Sequence, residues 1–107
     1  MIDTEIEVCT VTEMEPESVR RFDHAGNTFA IIRSPEGEFF ALNGYCTHER
    51  SHLADGSVMG NVIECSRHFG QFDYRTGEAV ELPACVDVRT YRINVRDGKV
   101  FLDLASP

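Results

Sequence analysis

The first seventeen residues contain neither lysine nor arginine, although they hold Asp3, Glu5, Glu7, Glu13, Glu15 and Glu17. Over all 107 residues, 10 basic side chains face 18 acidic ones, for a net charge of -8. That balance weighs against nucleic acid or an anionic membrane surface as a partner, because both recruit proteins through lysine and arginine. No apolar run approaches the ~20 residues of a spanning helix. The opening stretch MIDTEIEVCT has neither the basic cluster nor the apolar core of a secretory signal. The expectation is a cytoplasmic protein that touches no membrane. Also missing are a glycine-rich phosphate loop, a flavin or nicotinamide fingerprint and a Ser/His/Asp arrangement. A chain this short has little room for a substrate pocket. No catalytic residue is expected, and the chain is not expected to be an enzyme by itself.

Sustained helical periodicity is absent too, and the dominant period is two. In TEIEVCT, Ile6 and Val8 alternate with glutamates, as in a half-buried strand. SVRRFDH and TFAIIRS predict two further strands joined through AGN, and SPEGE turns the chain into the strand EFFALN. Beyond residue 84, VDVRTYRINVR and VFLDL predict a closing hairpin around RDGK. Many short strands at this spacing predict an all-β antiparallel sandwich or small barrel in a single domain, residues 1–107. TVTEMEPES reads as an exposed turn or a single helical turn, broken at Pro16.

Residues 44–84 read differently. Gly44, Gly56, Gly60, Gly70, Gly77 and Pro83 punctuate them, and only NVIECS and QFDYR look like strands. Loops that long inside a compact domain are usually functional. Within them, residues 46–76 are nearly balanced, Glu49, Asp55, Glu64 and Asp73 against Arg50, Arg67 and Arg75, in contrast to the acidic body, so the body could steer a basic partner while this neutral tip makes contact.

Those loops carry two of the four cysteines and two of the four histidines. Cys46 and His48 form C-x-H, and Cys65 and His68 form C-x2-H. Two thiolates with two imidazoles suit zinc or a two-iron cluster. Zinc knuckles space their paired ligands by two to four residues, which C-x-H does not match. A [2Fe–2S] cluster with two histidines in place of two cysteines is the other solution.

CTHERSHLADG followed by ECSRHFGQFDYRTGEAVELPA resembles the Rieske-type [2Fe–2S] ferredoxins of bacterial aromatic-ring-hydroxylating dioxygenase systems. The resemblance spans most of the chain, and it implies a Rieske fold with a cluster-binding subdomain of two loops inserted at about 44–84. It implies that Cys46 and Cys65 hold the inner iron and His48 and His68 the outer one. Two ferric ions, two sulfides and two thiolates then sum to zero charge, so an electron enters more easily than in an all-cysteine cluster. The resemblance further implies a one-electron carrier, expected to be a monomer. Its partners would be an NAD(P)H-dependent flavoprotein ferredoxin reductase and a terminal Rieske oxygenase. A small Rieske-like subunit of a larger reductase, such as nitrite reductase, is the alternative.

In respiratory relatives a serine and a tyrosine hydroxyl raise the cluster potential, and a disulfide joins the two loops. Here Gly70 and Phe72 stand at the hydroxyl positions, and Ser51 and Arg67 at the disulfide positions. The expectation is a potential nearer about -150 mV than about +300 mV. His52 is expected to face solvent, His24 to be ordinary surface, and Cys9 and Cys85 to be free thiols outside the site. Leu53 and Phe69 are read as an apolar rim around the histidines or as loop packing. Pro83 is expected to close the cluster on a third side, as the resemblance implies. Arg50 and Arg67 flank the tip, either as contacts for a partner's carboxylates or as balance for Glu49 and Glu64.

Overall fold

A computed structural model of the chain describes residues 4–47, 51–67, 69–82 and 86–105. In chain order the strands are β1 (Glu5–Thr10), β2 (Ser18–His24), β3 (Asn27–Arg33), β4 (Phe39–Asn43), β5 (Ser57–Met59), β6 (Val62–Glu64), β7 (Gln71–Asp73), β8 (Ala79–Glu81), β9 (Thr90–Arg96) and β10 (Lys99–Asp103). They form a six-stranded sheet, ordered β1-β10-β9-β4-β3-β2, and a four-stranded sheet, ordered β5-β6-β7-β8. Every strand pair is antiparallel. Helical structure among the described residues is two 3-10 turns, Val11–Glu13 and Leu53–Asp55.

Local chemistry sets the hairpins. Ala25 and Gly26 both take positive φ, 51° and 83°, and so do Asp97 and Gly98, at 54° and 74°. Two left-handed residues in a row match the twist of the strands they join. The registers His24↔Asn27 and Arg96↔Lys99 follow directly.

Strand β3 is apolar on both faces because it separates two cores. Phe29 and Ile31 join Cys9, Met14, Ala41, Val100 and Leu102 in a distal core inside the large sheet. Ala30 and Ile32 point the other way, into a proximal core with Leu42, Leu53, Ile63, Phe72, Tyr74, Cys46 and Cys65. The small sheet therefore sits on the large one through the same apolar layer that contains both motif cysteines.

Polar contacts fasten the edges of this layer. Arg75 reaches Glu38 at 3.0 Å and Glu36 at 3.2 Å, with its guanidinium 4.8 Å from the Phe40 ring centroid. Tyr74 donates its hydroxyl to the Gly60 carbonyl, and the Gly60 N–H donates to Glu17 at 3.0 Å.

Two sequence expectations need correction here. The strand expected from Val86 onward begins only at Thr90. Val88 gives its N–H to the Gly77 carbonyl at 2.8 Å, a turn rather than a strand partner, and Val86 is 60% exposed. The inserted region also has two strands more than expected, β5 and β8, each of three residues. Segments that short show too little alternation to be read as strands; pairing with β6 and β7 creates them.

Candidate metal centre

The two motif cysteines are built into loops of the same design. Cys46 follows β4, and its N–H donates to the Ser51 carbonyl at 2.9 Å. Cys65 directly follows β6, and its N–H donates to the Gly70 carbonyl at 2.8 Å. Each cysteine thus opens a loop closed by the carbonyl five residues on. In sequence His48 falls inside the first loop and His68 inside the second, but both lie outside the described residues, as do Glu49, Arg50, Pro83 and Cys85.

Both cysteines are buried, Cys65 completely, and neither is in a disulfide. They lie close enough for their thiols to hydrogen-bond. Burial pushes the Cys65 thiol above its ordinary pKa, and the neighbouring Cys46 adds to the rise. Against this, the Arg67 backbone N–H and the Ser51 hydroxyl donate to the Cys65 sulfur. Two adjacent buried thiols are costly to ionise together unless a cation neutralises them. This donor pair fits the anchored side of an iron–sulfur cluster: soft, paired and shielded from water.

The loops are tied to each other and to a third segment. Ser51 Oγ and Ser66 Oγ are 3.2 Å apart, a hydroxyl link between the two loops. Thr47 donates its hydroxyl to the Val86 carbonyl. Gly70 and Phe72 bring no hydroxyl, as the sequence indicates, and Phe72 is wholly buried. Ser51 supplies one from an unexpected side. Its position beside Cys65 depends on how two loops meet, which carries no sequence signal.

Other expectations divide. Leu53 is completely buried in the proximal core, so it packs the loop and forms no rim. Phe69 is 65% exposed and sits at φ 61°. A bulky residue held left-handed is strained, and the Phe69 ring stands in water. Leu82, after β8, is 75% exposed. Cys9 is a buried free thiol in the distal core, away from the site. His24 is half-buried and stacks on Phe22.

His52 overturns its expectation. It is 4% exposed, its Nδ1 accepts from the Ala54 N–H at 3.0 Å, and its Nε2 lies 2.8 Å from Thr28 Oγ1. A histidine between serine and leucine in a polar loop reads as surface. The bonding partner on β3, far away in sequence, is what draws it in.

The family profile for the Rieske [2Fe-2S] domain matches residues 4–92. The ferredoxin component of biphenyl 2,3-dioxygenase from Rhodococcus jostii (strain RHA1) is 34% identical over 97 residues, covering 91% of this chain and 90% of that protein. The solved ferredoxin of carbazole 1,9a-dioxygenase from Nocardioides aromaticivorans IC177 superposes with a TM-score of 0.89 at 28% identity, over 94% of this chain and 98% of that one. A chain from the complex of reduced oxygenase and oxidized ferredoxin in carbazole 1,9a-dioxygenase gives 0.89 at 29% identity, over 95% of this chain and 94% of that one. The protein therefore belongs to the Rieske [2Fe-2S] domain family, as a ferredoxin that holds a Rieske-type cluster and carries electrons instead of transforming a substrate.

Proposed function

We propose that this ferredoxin passes single electrons from an NAD(P)H-dependent flavoprotein reductase to the Rieske centre of a terminal ring-hydroxylating oxygenase. Cys46 and Cys65 would hold the inner iron, and His48 and His68 the outer one. The observation that carries the ligand assignment is the pair of matching loops, each opened by a buried, unbridged cysteine and each containing one histidine in sequence. The oxygenase partner is supported by relatives named as ferredoxin components of dioxygenase systems and by a structural neighbour from an oxygenase–ferredoxin complex.

When bound, the cluster supplies a one-electron couple raised above that of all-cysteine ferredoxins. The chain's own residues do the rest. The proximal core keeps water from the two thiols, and the backbone closures fix where each loop starts and ends. Phe69 and Val86 offer apolar surface on the second loop and on the segment bonded to the first. A small contact of this kind suits an encounter that must form and dissociate at every turnover.

The test starts from anaerobically prepared protein, read by visible absorbance, acid-labile sulfide and electron paramagnetic resonance. Cys46→Ser, His48→Ala and His68→Ala should each lose the cluster or change its spectrum. Wild-type spectra from all three would refute the assignment. Reduction by a flavoprotein reductase with NADH, followed by oxidation by a ring-hydroxylating oxygenase, tests the carrier role. A stable co-purifying complex with a large reductase would instead indicate a fixed subunit.

A further inference from the structure

The base of the first ligand loop is closed by an isolated bridge between Tyr45 and His52, and the Leu53 N–H returns to the Gly44 carbonyl at 2.7 Å. The stretch from Cys46 to Ser51 is therefore a loop hung from one junction. His52 is the side chain that fixes that junction to the body. Its Nδ1 accepts the Ala54 N–H, so its ring proton is on Nε2 and is donated to Thr28 Oγ1. Thr28 then donates its hydroxyl to Asp23, which also accepts from Arg21 Nε at 3.1 Å. The Tyr45 ring stands edge-on against the imidazole at 5.4 Å.

The space around this chain is committed. A Cβ on Gly44 would lie 2.5 Å from His52 Nε2 and 2.8 Å from the Thr28 methyl, so the backbone passes where no larger residue fits. The Gly44 N–H also donates to the Thr28 carbonyl at 2.9 Å. Thr28 thus holds the junction twice, once through its backbone and once through His52. A solvent-open hollow of about 410 Å3 lies beyond, lined by Arg21, Asp23, Thr28 and Tyr45 among others.

We propose that His52 is a positioning residue for the cluster: as a neutral imidazole it clamps the base of the Cys46–Ser51 loop to the β2–β3 hairpin, and so governs how firmly that loop retains iron. The inference rests on the ligand assignment above. It adds a residue outside the ligand set that acts through the loop.

The clamp has a direction in pH. Both ring nitrogens are already used, one as acceptor. A protonated ring can only donate, so it would confront the Ala54 N–H and release it. Burial is the main force holding the His52 pKa below its ordinary value; Arg21 lowers it further, while Asp55 and Asp23 pull it up. Thr28, Tyr45 and the Gly44 backbone complete the surroundings. The clamp is therefore complete above about pH 6.5, and it weakens as pH falls from there through the lowered value.

The experiment uses cluster-loaded protein and follows iron release to a chelator, with bleaching of the visible spectrum, across pH. Thr28→Val keeps the shape of β3 and removes the hydroxyl. His52→Asn keeps an acceptor for Ala54 but cannot reach Thr28. Each should release iron roughly tenfold faster near neutral pH, the double variant no faster than Thr28→Val, because all three lose the same bond between residues 28 and 52. The wild-type acceleration between neutral and mildly acid pH should flatten in both. Val100→Ala, in the distal core, serves as a control of comparable or greater thermal destabilisation and should keep the wild-type release rate and pH profile. The proposal is overturned if Thr28→Val and His52→Asn retain iron like wild type, or release it no faster than Val100→Ala. A wild-type protein that never takes up a cluster would sink the functional reading instead.

Discussion

Ser51→Ala should lower the midpoint potential of the cluster. Ser51 is 9% exposed, and its hydroxyl has two neighbours, the Cys65 sulfur and Ser66 Oγ at 3.2 Å. Reduction adds negative charge, part of which resides on the ligating sulfurs, so a hydroxyl donated to sulfur favours the reduced state. A buried hydrogen bond contributes about 1 kcal/mol net. For a one-electron couple, 1.4 kcal/mol corresponds to about 59 mV, so loss of the bond lowers the potential by at most about 40 mV, the value reached when its whole net strength is gained on reduction. Ser66→Ala removes the competing oxygen and leaves the donor in place; its potential should stay at or slightly above wild type. The assay is a spectroelectrochemical titration of the three proteins at one pH and ionic strength. An unchanged or higher potential in Ser51→Ala would show that its hydroxyl does not act on the sulfur.

Further outcomes follow from other parts of the molecule. With a net charge of -8, reduction by a basic reductase should slow as ionic strength rises from about 10 mM to about 150 mM, and a flat stopped-flow response would remove any steering role from the acidic body. Phe69→Gly relieves the left-handed strain and should stabilise the fold by about 1 kcal/mol in denaturant titrations while slowing electron delivery; unchanged delivery would exclude Phe69 from docking. Ile63→Ala empties the fully buried layer beneath Cys65 and should cost about 2–5 kcal/mol, with faster cluster loss. Hydrogen bonds from Arg96 and then Asn94 hold the Glu5 carboxyl below its usual pKa. Its contribution to stability is thus full above about pH 4.3 and lost as pH falls through the lowered value, so Glu5→Gln should flatten the acid limb of the stability profile.

Much of this was legible because the residues involved carry strong local signals. SVRRFDH is β2 residue for residue, and the hairpins were marked by glycine next to polar or small residues. The paired Cys/His motifs marked the candidate site, since such soft ligands at short spacing have few other uses. What stayed hidden depended on distant partners. Val86 and Val88 alternate as a strand would, yet the Gly77 turn takes the Val88 N–H. His52 and Leu53 look alike as loop residues; one is drawn in by Thr28 and the other by the proximal core.

By itself the sequence determined the all-β framework, the acidic body and the cysteine and histidine pairs proposed as the cluster's ligands, because period, charge and ligand chemistry are properties of short stretches. Only the tertiary structure decided that Cys46 and Cys65 meet in one buried layer, that Ser51 lies against Cys65, and that His52 clamps its loop to Thr28. Each of those joins segments separated by many residues. The packing of one sheet on the other, and not any local preference, fixes which side chains come within a hydrogen bond of one another.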